Sequence, residues 1–469
     1  MSSTLEQELD TSRETASSSR DEVIVNGSLW AAIWHMSWPL FLNMTTIAIA
    51  SCVDLWVSGR LGRDTQAAFG IGSQIWFFMV LLATALSAGT TALISRYWGE
   101  RDLKQTIAAS RQSLIFGCLF GSASAGAGML LARPIMHVLG ASTVVENLGW
   151  EYMKYDMSSQ LPYTLLWVFN SIFRAKGDAR VPMIIMAGMT ALVIALDFIL
   201  CIYPFHVGIA GLGISWLVAA FLGVTASYLL ILRTELAPCV DIRQIISSGI
   251  SLGWFVRLMK IGLPACIQDL SWIGSNFMLY LIFALTANPT ACQAAWAVGL
   301  RVDEIIGGFP IYALSMAVAT IVGQNLGAKQ PQRAERAGWH VCAVGAALNC
   351  VVAAILFFFA APIASLMSND PTVIAYSSSY LRIVGLCLPL CAAWIIMGGA
   401  MQGAGYTRWP MLATICCLCL IRLPLAWYLT VPLAMGPTGT WIAISASTVL
   451  LGLLMVWRFS SGIWKLQKV

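Results

Sequence analysis

The sequence predicts an all-α polytopic membrane protein, with twelve transmembrane helices arranged as two six-helix lobes. Three observations carry this prediction. Across 469 residues, 58% are hydrophobic and only 10% charged, where soluble domains carry roughly 25% charged residues. Apolar runs of the length a bilayer demands, about 20 residues, recur twelve times along the chain. The second six of these runs repeat landmarks of the first six at a nearly fixed offset.

The runs lie at 32–58, 68–95, 110–132, 154–173, 182–204, 208–232, 253–286, 291–323, 338–367, 379–402, 410–431 and 437–459. They are continuous rather than alternating, which makes them helices and not strands of a closed barrel. Several exceed the minimum length, so tilted or interrupted helices are expected. If the N-terminus is cytoplasmic, twenty of the 27 Lys and Arg fall on its side, four on the opposite side and three within spans. That excess places both termini in the cytoplasm.

Residues 1–27 are polar and charge-mixed and are expected to form a disordered cytoplasmic tail. They lack the basic start and short apolar core of a signal peptide, so the first run is retained as a span. The N-terminal six-helix lobe is expected over 28–232 and a cytoplasmic inter-lobe linker over 233–252. The C-terminal six-helix lobe, with a short cytoplasmic tail, follows over 253–469. The thirteen cysteines show no metal or disulfide spacing and read as small hydrophobes. No catalytic cluster, phosphate loop or ATP-binding domain occurs, so neither an enzyme nor an ATP-driven pump is expected, and no cofactor. The net charge of +5 is spread over loops, which gives nucleic acid no basic patch to bind.

The repeat is visible in motifs. Phe173-Arg174-Ala175-Lys176-Gly177-Asp178-Ala179-Arg180-Val181-Pro182-Met183 is matched in the second half around Gly405, Arg408, Pro410 and Met411, at an offset of 228. Gly99 pairs with Gly327, Gly208 with Gly436 and Gly211 with Gly439 at the same offset; Pro39 pairs with Pro264 at 225. An offset kept over six spans gives two halves of the same orientation, the parallel-repeat plan of some transporters.

Within the first run, Pro39 precedes Asp54 by fifteen residues. A carboxylate at the centre of a membrane helix costs about 2.5–3.5 kcal/mol on insertion scales and marks function by default. A proline removes one backbone bond and bends the helix. A bendable helix with a titratable acid is the raw material of an ion-driven transporter, against the plainer reading of a hydrogen-bonded structural acid.

These motifs, with Gly89-Thr90-Thr91-Ala92-Leu93-Ile94-Ser95-Arg96-Tyr97-Trp98-Gly99, Gly262-Leu263-Pro264 and Val322-Gly323-Gln324-Asn325-Leu326-Gly327-Ala328, resemble the multidrug and toxic compound extrusion (MATE) family of secondary antiporters, from about Trp30 to Lys465. The resemblance implies a central cavity between the lobes. It is closer to DinF-type than to NorM-type members. The DinF-type pattern implies an ion-coupling site at Asp54 with Asn170 on span 4 and Asp197 on span 5. Asp197 stands where the pattern has Asn, and Cys201 where it has Asp, so one acid is moved by a helical turn. Two carboxylates in one desolvated pocket cannot both ionise cheaply, so Asp54 and Asp197 are expected to load and release H⁺, with Na⁺ the alternative. Pro39 would be the bending point.

The second-lobe acids of NorM-type members fall at Trp272 and Cys391, which removes that cation site. Asp269, one turn before Trp272, and Asp303 and Glu304 on span 8 are the candidate second-lobe cation or substrate groups. Arg301 and Arg422 are expected to be structural. Arg301 is expected to pair across helices, because a helix does not bring its side chain and that of Asp303, the next but one, face to face. Asp156 is placed at the outer end of span 4, at headgroup level.

The resemblance implies an antiporter of a bacterial inner membrane, monomeric, exporting amphipathic cationic organic compounds (multidrug efflux) in exchange for H⁺ or Na⁺. The alternative is a lipid-linked saccharide flippase of the same superfamily, disfavoured by twelve spans and few intramembrane Arg. The partners expected are small organic substrates and the lipid bilayer.

Overall fold

The computed structural model of the protein describes residues 24–138 and 140–467; of the tail expected over 1–27, residues 1–23 lie outside the described residues. Sixteen helices among the described residues position everything that follows. They are α1 Leu29–Arg60, α2 Arg63–Gly99, α3 Leu103–Val138, α4 Thr143–Ser158, α5 Gln160–Lys176, α6 Arg180–Ile202, α7 Ala210–Ile231, α8 Ile242–Ser248, α9 Leu252–Phe283, α10 Pro289–Gly327, α11 Pro331–Phe358, α12 Ala360–Met367, α13 Pro371–Gly385, α14 Leu388–Gly403, α15 Arg408–Thr430 and α16 Pro437–Ser460. Nine are long and apolar enough to cross a membrane, or eleven if each of two bent pairs is one span: α8 with α9 at 95° and α13 with α14 at 57°.

The remaining rod, residues 143–176, is broken. Pro162 cannot donate to the Ser158 carbonyl, and α4 ends at Ser158; Pro389 cannot donate to the Gly385 carbonyl, and α13 ends at Gly385. The fourth and tenth expected spans are therefore each interrupted and made of two helices, beginning at residues 143 and 371 rather than at 154 and 379. The helix starts are capped alike, Ser142 accepting from Val145 N–H and Asp370 from Thr372 and Val373 N–H. By contrast α1 runs without a break through Pro39.

The chain divides into two compact units, Met1–Leu263 and Pro264–Val469. The first turns of α9 belong to unit 1, where Leu258 and Gly262 lie against the α2 backbone; a Cβ on Gly89 would stand 2.6 Å from the Leu258 carbonyl oxygen.

Each unit repeats the other's internal geometry. The non-glycine residues with left-handed backbone are Arg101, His206, Lys329 and Ala434, at φ 57°, 49°, 59° and 50°. They form two pairs, Arg101 with Lys329 and His206 with Ala434, both at the offset of 228 that the motifs keep. Gly177 ends α5 at φ 104° and Gly405 follows α14 at φ 76°, positions that L side chains adopt only at a cost. Packing follows suit. In unit 1 the Tyr152 ring fills the space a side chain on Gly72 would take, and Phe69 lies 5.4 Å from it. In unit 2 the Tyr380 ring fills the space at Gly299, with Trp296 at 5.6 Å. Small residues thus set the helix approach in both halves, as expected where lipid offers no hydrophobic drive between helices.

Candidate functional site

Asp54 and Asp197 come together inside unit 1. Asp54 projects from α1 and is 4% exposed; Asp197, in the last α-helical turn of α6, is fully buried. Immediately after Asp197 the helix widens into a π-helical segment, Phe198–Ile202, a distortion that recurs at functional sites. The two carboxyls lie within hydrogen-bonding reach of each other. Trp216 Nε1 on α7 donates to Asp54 Oδ2 at 2.9 Å. Oδ1 of Asp54 and both oxygens of Asp197 are buried without a donor among the described residues. Ser215 Oγ, which donates to the Gly211 carbonyl, is the next polar atom beside Asp197. A carboxyl–carboxyl contact has no donor unless one partner carries a proton.

Asn170, the third residue of the expected site, is buried on α5, but its Oδ1 has no hydrogen-bond partner among the described residues. Cys201 is buried in the π-helical segment against Gly211 and Leu212.

Asp156 corrects the sequence reading. It is 2% exposed and stands within α4, one turn before the α4–α5 break, rather than near a helix start. Its Oδ2 is buried and has no partner among the described residues. The sequence reading assigns Asp156 a place but no role, and does not single out Trp216. The signal that finds Asp156 is the repeat: the tenth span starts at 371, and subtracting 228 starts the fourth at 143, which takes Asp156 inside the helix.

In unit 2, Asp269, Asp303, Glu304 and Cys391 all lie within electrostatic range of the Tyr312 phenol. Asp303 and Glu304 open a second π-helical segment, Asp303–Gly308, and Gly307 leaves Asp303 its room. Tyr312 is 39% exposed and Asp269 is also exposed, so these groups border accessible space. Asp303 lies beside Cys391 and Tyr380. Arg301 pairs with Glu304 one turn on, Nη1 to Oε2 at 3.5 Å, and its side chain is 61% exposed; the cross-helix partner expected for it is replaced by one on its own helix. Arg422 is 3% exposed and its bonds are to neutral groups: Ser447 Oγ at 2.8 Å, Asn276 Oδ1 at 3.4 Å and Thr448 Oγ1 at 3.2 Å.

Comparison with known proteins adds to this geometry. The pattern of the MatE family matches the chain twice, over residues 39–199 and 264–428, beginning at Pro39 and at Pro264. A probable multidrug resistance protein NorM of Thermotoga maritima is 24% identical over 425 residues, 88% of either chain. A FAD transporter of Shewanella oneidensis is 26% identical over 412 residues, 86% of this chain and 88% of that one. The solved structure of a multidrug resistance MATE family transporter in its outward-facing conformation superposes with a TM-score of 0.86 at 22% identity, covering 94% of this chain and 98% of the other.

Proposed function

Because the chain belongs to the MatE family, we propose that it is a secondary antiporter that exports amphipathic, cationic organic compounds in exchange for protons. The observation that carries this reading is that Asp54 and Asp197 lie within hydrogen-bonding reach of each other, both buried and with no basic side chain bonded to either among the described residues. Two unpaired carboxylates in such a place are costly; a proton shared between them leaves one negative charge and lowers the cost. Opening the pocket to the other side of the membrane lets water accept that proton and hydrate the carboxylates left behind.

Coupling follows from linkage. If substrate is bound better when the pair is ionised, protonation must weaken substrate binding by the same factor. The site lies in unit 1, which favours the DinF-type over the NorM-type plan. The excess of Lys and Arg on one side supports both termini being cytoplasmic, and the reading takes the protein as a monomer of a bacterial inner membrane.

The test is ethidium efflux from proteoliposomes with a proton gradient or a Na⁺ gradient imposed separately. Efflux driven by the proton gradient, and lost in Asp54→Asn, is expected. Efflux driven by Na⁺ alone would overturn the choice of ion, and unchanged proton-driven efflux in Asp54→Asn would overturn the site.

A second reading concerns the substrate. Arg422 is a buried cation with neutral partners, and one relative is a FAD transporter. An anionic substrate would suit it, and competition of ethidium efflux by a flavin dinucleotide, lost in Arg422→Gln, would favour that class.

A further inference from the structure

A groove of about 610 Å³ opens on unit 2, with Ala361 of α12 on one wall and α13 on the other. That volume is within the range of small-molecule sites, roughly 300–1,000 Å³. Pro371, Ala375, Ser378, Ser379 and Arg382 line it from α13, at spacings of three and four residues that put them on one helix face. Their small side chains leave the space, and Arg382 is the one charged group in its lining. The face cannot turn away. Tyr380, Leu381 and Val384 bury the other side of α13 in the core of unit 2, and Ser445 Oγ of α16 donates to the Ile383 carbonyl at 3.3 Å.

Arg382 is exposed and bonded to no side chain or carbonyl among the described residues. Its counterpart in unit 1, at the offset of 228, is Lys154, whose ammonium lies 4.9 Å from the centre of the Tyr155 ring. Ile383 stands where Tyr155 does, so unit 2 gives its cation no such ring. The Ser379 hydroxyl, one turn before Arg382, is also without a bond among the described residues, whereas Ser378 Oγ donates to the Ile374 carbonyl at 2.6 Å.

The level of the groove identifies its occupant. α14, Leu388–Gly403, is about 24 Å long and fills most of a hydrocarbon layer about 30 Å thick. Arg382 precedes Leu388 by six residues, which leaves it at the edge of that layer. Helical side chains lean toward the N-terminus, so the guanidinium reaches back over the Ser378–Ser379 turn, toward the headgroups. α12 lies on the same side of the membrane, because α11 carries Arg333 and Arg336 at its start and ends 28 residues on, at Phe358. Phe359, Leu366 and Met367 around α12 are exposed, an apolar rim that belongs against acyl chains rather than water.

We propose that this groove binds one anionic phospholipid, with its phosphate on Arg382 and Ser379 and its chains descending past the arginine stem into the bilayer. A guanidinium holds phosphate oxygens through two parallel N–H bonds, and basic pockets on membrane helices recognise anionic headgroups in this way. The lipid supplies the countercharge that the chain itself does not.

Native mass spectrometry of the purified full-length protein tests this, after release from nanodiscs of phosphatidylglycerol and phosphatidylethanolamine with identical chains. Wild type should retain one phosphatidylglycerol more than Arg382→Gln. Added phosphatidylglycerol should raise the thermal midpoint of wild type in detergent and leave that of Arg382→Gln unmoved. Ala375→Leu narrows the groove with the charge intact and should lose the same lipid, which gives a second reading should Arg382→Gln fail to fold. Equal retention in wild type and Arg382→Gln overturns the proposal, and so does undiminished retention in Ala375→Leu. Phosphatidylethanolamine retained as firmly as phosphatidylglycerol removes the role of charge and overturns it too. Inorganic phosphate that stabilises wild type as well as the lipid does would show a free-anion site, and would overturn the lipid as occupant.

Discussion

Trp216 Nε1 donates to Asp54 Oδ2 at 2.9 Å, tying α1 to α7 through one oxygen of the acid pair and leaving the other three without a donor among the described residues. A donor aimed at a carboxylate favours its ionised form. Trp216→Phe keeps most of the ring and removes the donor, so the pair should keep its proton to higher pH. The pH midpoint of proton-driven ethidium efflux is expected to move upward by about one unit, the equivalent of roughly 1.4 kcal/mol and in the range of a hydrogen bond to a charged group. A midpoint that stays or falls would show that the indole does not address the ionised state.

Asp54 and Asp197 should act as one unit. Asp54→Asn and Asp197→Asn are each expected to abolish gradient-driven efflux from everted vesicles, and the double variant should be no worse than either. A double-mutant cycle on thermal stability should return a coupling of about 0.5–3 kcal/mol, as for residues in contact. Strict additivity would mean that the two carboxyls do not share a proton.

Gly177 and Gly405 occupy the same place in the two units, with φ 104° and 76°. Alanine at either forces an L side chain into the left-handed region at a cost of roughly 1–2 kcal/mol. Gly177→Ala and Gly405→Ala should therefore lower the Tm by similar amounts, measured by fluorescence-detected size exclusion on heating. A large difference between them would argue against equivalent turns.

The two intramembrane arginines should part company. Arg301 holds Glu304 at 3.5 Å from a side chain that is 61% exposed, and exposed pairs of this kind contribute about 0–1 kcal/mol; Arg301→Ala should leave the Tm nearly unchanged. Arg422 makes three buried hydrogen bonds. Arg422→Ala leaves Ser447, Asn276 and Thr448 facing a cavity and should cost about 3 kcal/mol or more. Equal effects would mean that one of the two environments is misassigned.

The scaffold was largely legible in the sequence because membrane helices advertise themselves by length and hydropathy, and because the two halves carry the same landmarks. What sequence did not show was which proline breaks a helix. Pro39, Pro162 and Pro389 all follow apolar residues, yet α1 continues through Pro39 while α4 and α13 stop four residues before theirs. Packing around the freed carbonyl decides this, and packing is not local information. Asp156 was hidden for a related reason: Glu146, Glu151 and Lys154 make the stretch before it look like a loop. Asp54 and Asp197 were found, but the partner of Asp54 was not, because an indole reaching over from the sixth rod leaves no trace in the spacing around either residue.

The paired positions, Arg101 with Lys329 and His206 with Ala434, show what the two halves have in common. Left-handed backbone at non-glycine residues is rare enough that two pairs at one spacing mark a shared backbone course rather than coincidence. The acids do not follow that spacing. In the second half, Val384 and Leu425 stand at the places equivalent to Asp156 and Asp197, and in the first half Trp76 stands at the place equivalent to Asp303, counted from Gly72 and Gly299. The halves share their turns and differ in their carboxyls. A chimaera that exchanges the α2–α3 turn at residues 100–102 with the α10–α11 turn at 328–330 should accordingly fold and transport as the parent does, because what those turns encode is common property of both halves.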